Sequence, residues 1–177
     1  GKMLGALLKL CGEKDRMLFL KEPDGRITLG ASGVLLWAIA RYSEATGDRT
    51  AFAKEAEALA RFILHMRKKD GTFYHWFDPA VGPREGREVW YYPGEALLGL
   101  ATAGRVFGRK EWLDEAVLCW RATAKQRAEI WRKSRIRVDA WLMKAAEALC
   151  DRLDRADFKL LFDYADWLCE KQRALLY

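Results

Sequence analysis

Two carboxylic acids and a tyrosine stand at positions where a helical protein could carry out proton transfer. Glu95 follows two tyrosines and a proline at the start of one predicted helix, and Asp139 has the corresponding position in another. Two carboxyl groups at one rim can divide the general-acid and general-base roles that glycoside chemistry requires, and the hydroxyl of Tyr92 can also move a proton. The alternative is structural, because acidic residues at helix starts also cap the helix and complement its dipole.

Aromatic and basic side chains that suit an acidic saccharide occur in the connections between the predicted helices. Flat aromatic rings can stack on sugar rings, arginines can hold a carboxylate or sulfate with two hydrogen bonds, and a histidine can carry a proton. The candidate binding residues are Trp76, Trp90, Tyr91, His75, Arg84, Arg87, Arg135 and Arg137. The aromatic residues could instead pack these connections against the helices, and both interpretations stay open.

Motifs for metals, phosphates and dinucleotides are missing from the sequence. Neither His65 nor His75 has partners at metal-ligand spacing, so we expect no bound metal. The sequence contains no phosphate-cradling glycine loop, no Gly-x-Ser-x-Gly motif and no dinucleotide fingerprint. These absences argue against the corresponding enzyme classes, and we expect no cofactor.

Three segments of the chain repeat one pattern, beginning at Gly33, Gly94 and Asp139. A leucine stands three positions after each start and an alanine seven positions after it. The pairs are Leu36 and Ala40, Leu97 and Ala101, and Leu142 and Ala146. Residues four apart lie on one face of a helix, and the small alanine lets a neighbouring helix approach closely. We therefore predict that these positions belong to the core.

Each segment is predicted to form a helical hairpin, in which a long helix, a tight turn and a returning helix follow one another. The predicted turns are Thr46–Asp48, Phe107–Arg109 and Leu153–Arg155, and glycine in the first two can form a left-handed helix cap. The aromatic residues that open the returning helices are Phe52, Trp112 and Phe158, followed fifteen residues later by Arg67, Arg127 and Arg173. A further helix is predicted near residues 3–11.

The connections between hairpins share one rim of the predicted bundle, because each hairpin runs out and back. These connections are residues 22–32, 70–93 and 128–138. Loops on a rigid scaffold are the usual place for function. In the middle connection, the aromatic runs 72–77 and 88–92 flank a turn with proline and glycine and predict a β-hairpin. A smaller hairpin is predicted around Pro23–Gly25.

The composition fits a globular domain with its own core. The chain has 177 residues, of which 51% are hydrophobic and 32% charged, and its net charge is +6. Seven basic residues and one acid lie between Arg121 and Arg137, which indicates either a solvated helix end or a surface for an anionic partner. No nucleic-acid recognition motif accompanies them, so nucleic acid is not the expected partner.

The four cysteines, Cys11, Cys119, Cys150 and Cys169, form no Cys-x-x-Cys pair and stand mostly in apolar helical stretches. They are predicted to be buried thiols, which favours a reducing, cytoplasmic compartment. The apolar run Met3–Cys11 is too short to span a bilayer and lacks a cleavage site. We therefore expect no membrane span.

Three pieces of the sequence, DGRITLGASGVLLWAIARYSEATGD, DGTFYHWFD and YYPGEALLGLA, resemble the hairpin repeats of the (α/α)-toroid superfamily, which includes six-hairpin glycosidases and sugar epimerases. The resemblance covers about residues 20–175 and implies an all-α domain over residues 1–177, built from tandem αα-hairpins, with a small β-hairpin on one rim. Six hairpins close the usual toroid and this chain has about three. We therefore expect a partial toroid, which is part of a longer protein, a half that dimerises, or an open arc.

In such toroids the ligand occupies a funnel formed by the inner-helix starts and the loops on that rim, which is where Glu95, Asp139 and Tyr92 fall. The resemblance thus implies a carbohydrate-active domain, of the glycoside hydrolase or sugar epimerase type, that acts on an acidic saccharide. The alternative is a non-catalytic helical-repeat module that binds a protein or another anionic partner through the basic stretch Arg121–Arg137. In that case Glu95 is only a helix cap.

Overall fold

The chain is mostly helical, with two small antiparallel sheets. The computed structural model describes residues 1–131 and 139–176. Within them, seven helices are α1 (Lys2–Leu8), α2 (Leu29–Thr46), α3 (Ala53–His65), α4 (Tyr92–Val106), α5 (Lys110–Trp131), α6 (Ala140–Ala148) and α7 (Arg155–Leu176). The strands are β1 (Cys11–Lys14), β2 (Met17–Leu20), β3 (Ile27–Thr28), β4 (Trp76–Asp78) and β5 (Gly82–Arg84), paired in the orders β1-β2 and β3-β4-β5.

Helices α2, α4 and α6 form an inner row in which all three run in the same direction. A Cβ atom on Gly94, near the start of α4, would lie 2.6 Å from the backbone nitrogen of Leu142 in the first turn of α6. At the other end, Arg105 of α4 donates a hydrogen bond of 3.0 Å to the carbonyl of Ala148. Gly33 of α2 makes the same close approach to the first turn of α4. The repeated glycine therefore lets these helices pack backbone against backbone.

Helices α3, α5 and α7 form an outer row, in which ion pairs connect each helix to the turn before the next. Arg109, just before α5, pairs with Glu57 of α3 at 3.2 Å. Arg152, before α7, pairs with Asp114 of α5 at 2.8 Å. Exposed pairs of this kind contribute at most about 1 kcal/mol each. They therefore affect the relative positions of the outer helices more than the stability of the fold.

The predicted repeat positions form the centre of the core. Their side chains are almost completely buried: Leu36, Leu97, Ala40, Ala101 and Ala146 are 0% exposed and Leu142 is 3% exposed. These residues belong to one continuous hydrophobic cluster that also includes side chains of the outer row and of both sheets. The prediction of helical pairs with a shared apolar face is therefore confirmed.

The first two predicted turns are confirmed, and the third begins earlier than predicted. Gly47 ends α2 with φ 72° and Gly108 follows α4 with φ 66°, both left-handed. The third turn is longer than predicted, because α6 already ends at Ala148. Helix α7 then begins with a reciprocal cap: Asp154 Oδ1 accepts from the Asp157 amide at 3.0 Å, and Asp157 Oδ2 accepts from the Asp154 amide at 3.0 Å.

The predicted rim hairpin exists, but its second strand differs from the prediction. Strand β4 lies at the end of the run 72–77, whereas its partner is β5 and not the run 88–92. The chain reverses early because Asp78 closes a tight turn, in which its Oδ1 accepts from the Ala80 amide at 2.8 Å. The smaller hairpin is also present, since Lys21 bridges to Ile27 around Gly25, which has φ 82°.

The amino-terminal part of the chain covers one end of the double row. The helix predicted at residues 3–11 ends at Leu8, and Cys11 instead begins the β1-β2 hairpin, which the sequence did not predict. Its turn places Asp15 and Arg16 at φ 51° and 62°. Helix α1 packs on α2, and β2 packs on α3.

The cysteines are all free, but not all are buried. Cys119 is buried and Cys11 half-buried, whereas Cys150 and Cys169 are exposed, so the prediction of buried thiols is wrong for the last two. Among the described residues, none of the helices has both the length and the apolar composition needed to cross a bilayer.

Candidate functional site

A cleft of about 370 Å³ opens on the rim where α2 and α4 begin. Its polar lining consists of Glu22, Thr28, Tyr91, Tyr92 and Glu95, and its remaining wall is formed by aliphatic side chains of α1, β2 and α2. We call it the rim cleft. The structure therefore brings three of the predicted site residues together and adds two that the sequence analysis did not identify.

The carboxyl group of Glu95 is half-buried in the rim cleft. Burial raises its pKa to about 7, and the negative charges of Asp139 and Glu22 add to this effect. Near neutral pH the group is therefore present both as an acid and as a carboxylate. A carboxyl in this state can donate a proton and can also accept one.

Space for the Glu95 side chain is provided by Gly30 in the first turn of α2. A Cβ atom at Gly30 would overlap Oε2 of Glu95 and Cδ1 of Tyr92. The side chains of α4 therefore rest directly on the backbone of α2. The lack of a side chain at position 30 therefore determines both how closely α4 packs on α2 and where the Glu95 carboxyl group lies.

Glu22 supplies a second carboxylate to the rim cleft. Its Oε1 accepts a hydrogen bond of 2.7 Å from the Thr28 hydroxyl, and its Oε2 lies 3.5 Å from the guanidinium of Arg26. The tight turn before α2 brings it there, since the Glu22 amide donates to the Arg26 carbonyl at 2.8 Å. No local sequence signal marks this residue, because its partners come from the turn and from a helix far along the chain.

Tyr92 and Thr28 line the rim cleft together with Glu22. The Thr28 oxygen accepts from the Ala31 amide at 3.3 Å, which caps α2, and its proton points to Glu22. Burial raises the pKa of Tyr92, and the charge of Glu22 raises it further. The phenol therefore keeps its proton at neutral pH.

Asp139 lies behind the rim cleft and not in its lining. The residue is 1% exposed, and its Oδ1 caps α6 by accepting from the Leu142 amide at 3.0 Å. Its Oδ2 is enclosed without a hydrogen-bond partner in the described part of the chain. Burial raises its pKa to about 6, against the opposing effects of the Leu142 amide and the Arg127 charge. The structure thus supports the capping interpretation, with an electrostatic effect on Glu95.

A second cleft, of about 440 Å³, contains three of the predicted binding residues: Trp76, Arg84 and Arg87. Arg26 also lines it, and its guanidinium lies 5.8 Å from the centre of the Trp76 ring. The indole nitrogen of Trp76 donates a 2.9 Å hydrogen bond to the Arg87 carbonyl. We call this the arginine cleft.

The two clefts adjoin at an aromatic contact. The rings of Trp76 and Tyr92 meet edge to face, with centres 6.1 Å apart, and Tyr91 meets Tyr92 in the same way at 5.3 Å. Arg26 also contributes to both sides, because it lines the arginine cleft and pairs with Glu22 of the rim cleft. A ligand of several rings could therefore extend from one cleft into the other.

His75 and Trp90 pack the middle connection against the helices. His75 is 8% exposed, its Nδ1 accepts from the Val89 amide at 2.8 Å, and burial lowers its pKa. Trp90 is also 8% exposed, with the Arg127 guanidinium 3.7 Å from its ring centre. Neither side chain lines the rim cleft or the arginine cleft. For these two residues the packing interpretation describes the structure.

The basic stretch 121–137 is only partly described. Arg135 and Arg137 lie outside the described residues, as do Arg132 and Lys133. Arg121 binds Asp157 at 2.7 Å, and Arg127 is buried, so two of the charges are engaged in packing α5 against its neighbours. Of the three basic residues of this stretch that the structure describes, Arg121, Lys125 and Arg127, only Lys125 is exposed.

Three comparisons with known proteins found no match for this chain. No protein-family model matches the chain, and neither a curated protein nor a solved structure was found to be similar. In residues 1–131 and 139–176, no group of three or more histidine, cysteine, aspartate or glutamate side chains is arranged to hold a metal ion.

Proposed function

We propose that the chain is a carbohydrate-active domain, of the glycoside hydrolase or sugar epimerase type, that acts on an acidic saccharide. The observation that carries the proposal is the position of Glu95. Its carboxyl group, with a pKa of about 7, lies beside Tyr91 and Tyr92 in an open cleft. A carboxyl that titrates near neutral pH next to aromatic rings suits proton transfer to or from a bound sugar.

The two carboxyl groups of the rim cleft have different surroundings, which supports different roles. Glu95 is the proton donor and acceptor. Glu22 is held by Thr28 and Arg26, so it is suited to stabilise positive charge at the sugar ring or to accept a proton. In this assignment Glu22 takes the place that the sequence analysis gave to Asp139.

The remaining side chains suit the recognition of an acidic sugar. Tyr91 is 46% exposed, and together with Tyr92 and Trp76 it forms an aromatic row across both clefts. Arg84, which pairs with Asp78 at 3.3 Å, and Arg87 line the arginine cleft, where a carboxylate or sulfate on a neighbouring sugar would compete with Asp78 for Arg84. The proposed saccharide therefore lies along this row, with its acid group in the arginine cleft.

The arrangement of the helices supports the proposal that the fold is a partial (α/α) toroid. The inner helices run in one direction, and the rim cleft lies at their starts. The alternative function, a binding module that uses the basic stretch, has less support because Arg121 and Arg127 are engaged in packing.

The test combines binding with turnover. The chain is titrated with uronic-acid oligosaccharides, sulfated oligosaccharides and their neutral counterparts, and product formation is followed by NMR. We expect saturable binding of acidic sugars only, and turnover that is lost in Glu95→Gln while binding remains. Glu147→Gln removes an exposed carboxyl on α6 and serves as the matched control, with unchanged turnover. Failure of every acidic sugar to bind, or full turnover by Glu95→Gln, would overturn the proposal.

A further inference from the structure

Residues 85–89, which connect β5 to the turn before α4, form neither helix nor strand. Of these residues, Glu85, Gly86 and Arg87 line the arginine cleft. We call the segment 85–89 the cleft strap. A segment without regular structure has no ladder of backbone hydrogen bonds, so its position depends on the contacts that it makes with its neighbours.

Two consecutive side chains of the middle connection hold the cleft strap. Nδ1 of His75 accepts a hydrogen bond of 2.8 Å from the Val89 amide, and the indole nitrogen of Trp76 donates one of 2.9 Å to the Arg87 carbonyl. Gly86 rests on the Trp76 ring, because a Cβ atom there would lie 2.8 Å from Cδ1 of the indole. The bond to Trp76 is exposed to solvent, whereas the bond to His75 is partly buried.

The hydrogen bond between His75 and Val89 exists only while His75 is neutral. A ring nitrogen accepts a hydrogen bond only when it carries no proton, so the proton of the neutral ring is on Nε2. In the protonated ring both nitrogens are donors, and the Nδ1 proton would face the amide proton of Val89. Protonation of His75 therefore removes this contact.

The cleft strap is the side of this contact that can move. The His75 carbonyl accepts from the Leu29 amide at 3.1 Å, and the next residue, Trp76, begins the central strand of its sheet. The His75 ring is 8% exposed and meets the ring of Tyr92, whose phenol is uncharged at neutral pH, with centres 6.1 Å apart. Residues 85–88 are exposed. When the contact is lost, we therefore expect the strap to shift and His75 to stay in place.

Charged groups from three parts of the fold act on His75. Burial has the largest effect and lowers its pKa. Glu88 and Glu85 of the strap raise the pKa, whereas Arg127 of α5 and Lys68, which follows α3, lower it. Lys68 also pairs with Glu85 at 2.9 Å, but an exposed pair of this kind stabilises little. The ring is therefore neutral at neutral pH and binds a proton in more acidic solution.

We propose that His75 is a pH-sensitive switch for the arginine cleft: protonation of its ring releases Val89, and the cleft strap then moves away from Trp76. The wall formed by Glu85, Gly86 and Arg87 is in place at neutral pH and opens in mildly acidic solution. The switch acts in the chain without a ligand. It therefore does not depend on the proposed function, and it can be tested without any saccharide.

The first test follows His75 and Val89 by NMR from about pH 8 to about pH 5, the range in which histidine titrates. The chain has two histidines, so comparison with His65→Gln assigns the ring ¹⁵N signals. We expect the Nε2–H tautomer at neutral pH. As the ring is protonated, the protection of the Val89 amide against hydrogen exchange, corrected for the intrinsic effect of pH, should fall about tenfold, which corresponds to one hydrogen bond. The Arg109 amide, which donates to the Gly104 carbonyl at 2.8 Å at the other end of α4, should keep its protection.

The same titration shows whether the cleft strap moves. The amide signal of Gly86 and the indole N–H signal of Trp76 should shift with the midpoint of His75, because the contact between these residues is lost. Unchanged signals of Gly86 and Trp76, or an unchanged protection of Val89, while His75 is protonated would overturn the proposal. A ring that carries its proton on Nδ1 at neutral pH would overturn it as well.

Two variants separate the hydrogen bond from the charge. His75→Asn places an oxygen near the position of Nδ1 and cannot be protonated in this range, so Val89 should stay protected at every pH. His75→Phe keeps an aromatic ring without an acceptor, so Val89 should lose protection at neutral pH too. Circular dichroism verifies folding, and if His75→Phe does not fold, the comparison of His75→Asn with the unmodified chain is sufficient. Equal responses of Val89 and Gly86 to pH in His75→Asn and in the unmodified chain would contradict the switch.

Discussion

Gly30 and Glu95 meet at the junction of α2 and α4, where the missing side chain of one leaves the space that the other occupies. Gly33, one helical turn along α2, makes a different contact: a Cβ atom there would lie 2.5 Å from Cα of Ala96. The first glycine accommodates the side chains of Glu95 and Tyr92, and the second accommodates a backbone. This difference leads to a pair of contrasting substitutions.

We expect Gly30→Ala to weaken saccharide binding and to destabilise the fold less than Gly33→Ala does. Alanine at position 30 displaces the side chains of Glu95 and Tyr92, and its better helix propensity, about 1 kcal/mol, offsets part of the strain. Alanine at position 33 meets backbone and should cost about 2 kcal/mol. Urea unfolding of both variants measures the difference, and equal stabilities would contradict it.

The stability of the protein should fall as the pH rises toward neutrality, in part because of Glu95. Its pKa is about 7 in the folded chain against an ordinary value of 4.5, so the folded state binds the proton more tightly. The free energy of unfolding therefore decreases between these two pH values, by about 2 kcal/mol after allowance for partial solvent exposure. Glu95→Gln should remove this part of the decrease. Glu147→Gln should leave it in place, and the comparison requires only denaturation curves at several pH values.

Asp139→Asn should lower the pKa of Glu95 without removing the cap of α6. Asparagine keeps an oxygen that can accept from the Leu142 amide, whereas the negative charge that acts on Glu95 is lost. The carboxyl ¹³C resonance of Glu95, followed by NMR through a pH titration, reports the change. Asp139→Ala provides the comparison, because it also loses the cap, at a cost of about 1 kcal/mol. An unchanged titration of Glu95 in Asp139→Asn would show that the two carboxyl groups are not coupled.

Two basic residues of α5 should respond very differently to truncation. Arg127 is 2% exposed and covers the ring of Trp90, so we expect Arg127→Ala to cost about 3 kcal/mol. Lys125, two positions earlier, is exposed, and Lys125→Ala should change the free energy of unfolding by at most about 0.5 kcal/mol. Thermal or chemical unfolding distinguishes the two. Similar small effects of the two substitutions would contradict the buried role of Arg127. They would favour the solvated helix end, which is one of the two interpretations of the basic stretch in the sequence.

The repeat pattern predicted the helices well, because burial on one face imposes a period that local sequence retains. Leu36, Leu97 and Leu142 have the same environment in three different helices. The arginine fifteen residues after each aromatic has no such common role. Arg67 pairs with Glu115 at 3.0 Å, Arg127 is buried, and Arg173 is exposed. Sequence spacing alone does not distinguish a shared environment from a coincidence.

The site was predicted in part. Tyr91, Tyr92 and Glu95 are neighbours in sequence at a helix start, so their common location could be anticipated. Glu22 could not be found in this way, because it reaches the cleft through a tight turn and meets residues that come much later in the chain. Asp139 was assigned to the site because it has the equivalent position in the repeat. In the structure its side chain is buried, and it caps α6 instead of lining the rim cleft.

The common direction of α2, α4 and α6 brings the positive ends of three helix dipoles to one side of the inner row. Acidic groups of the chain itself already stand at two of these ends, because Glu95 lies in the first turn of α4 and Asp139 caps α6. The helix dipoles therefore favour the carboxylate form of both groups and act against the burial that raises their pKa values.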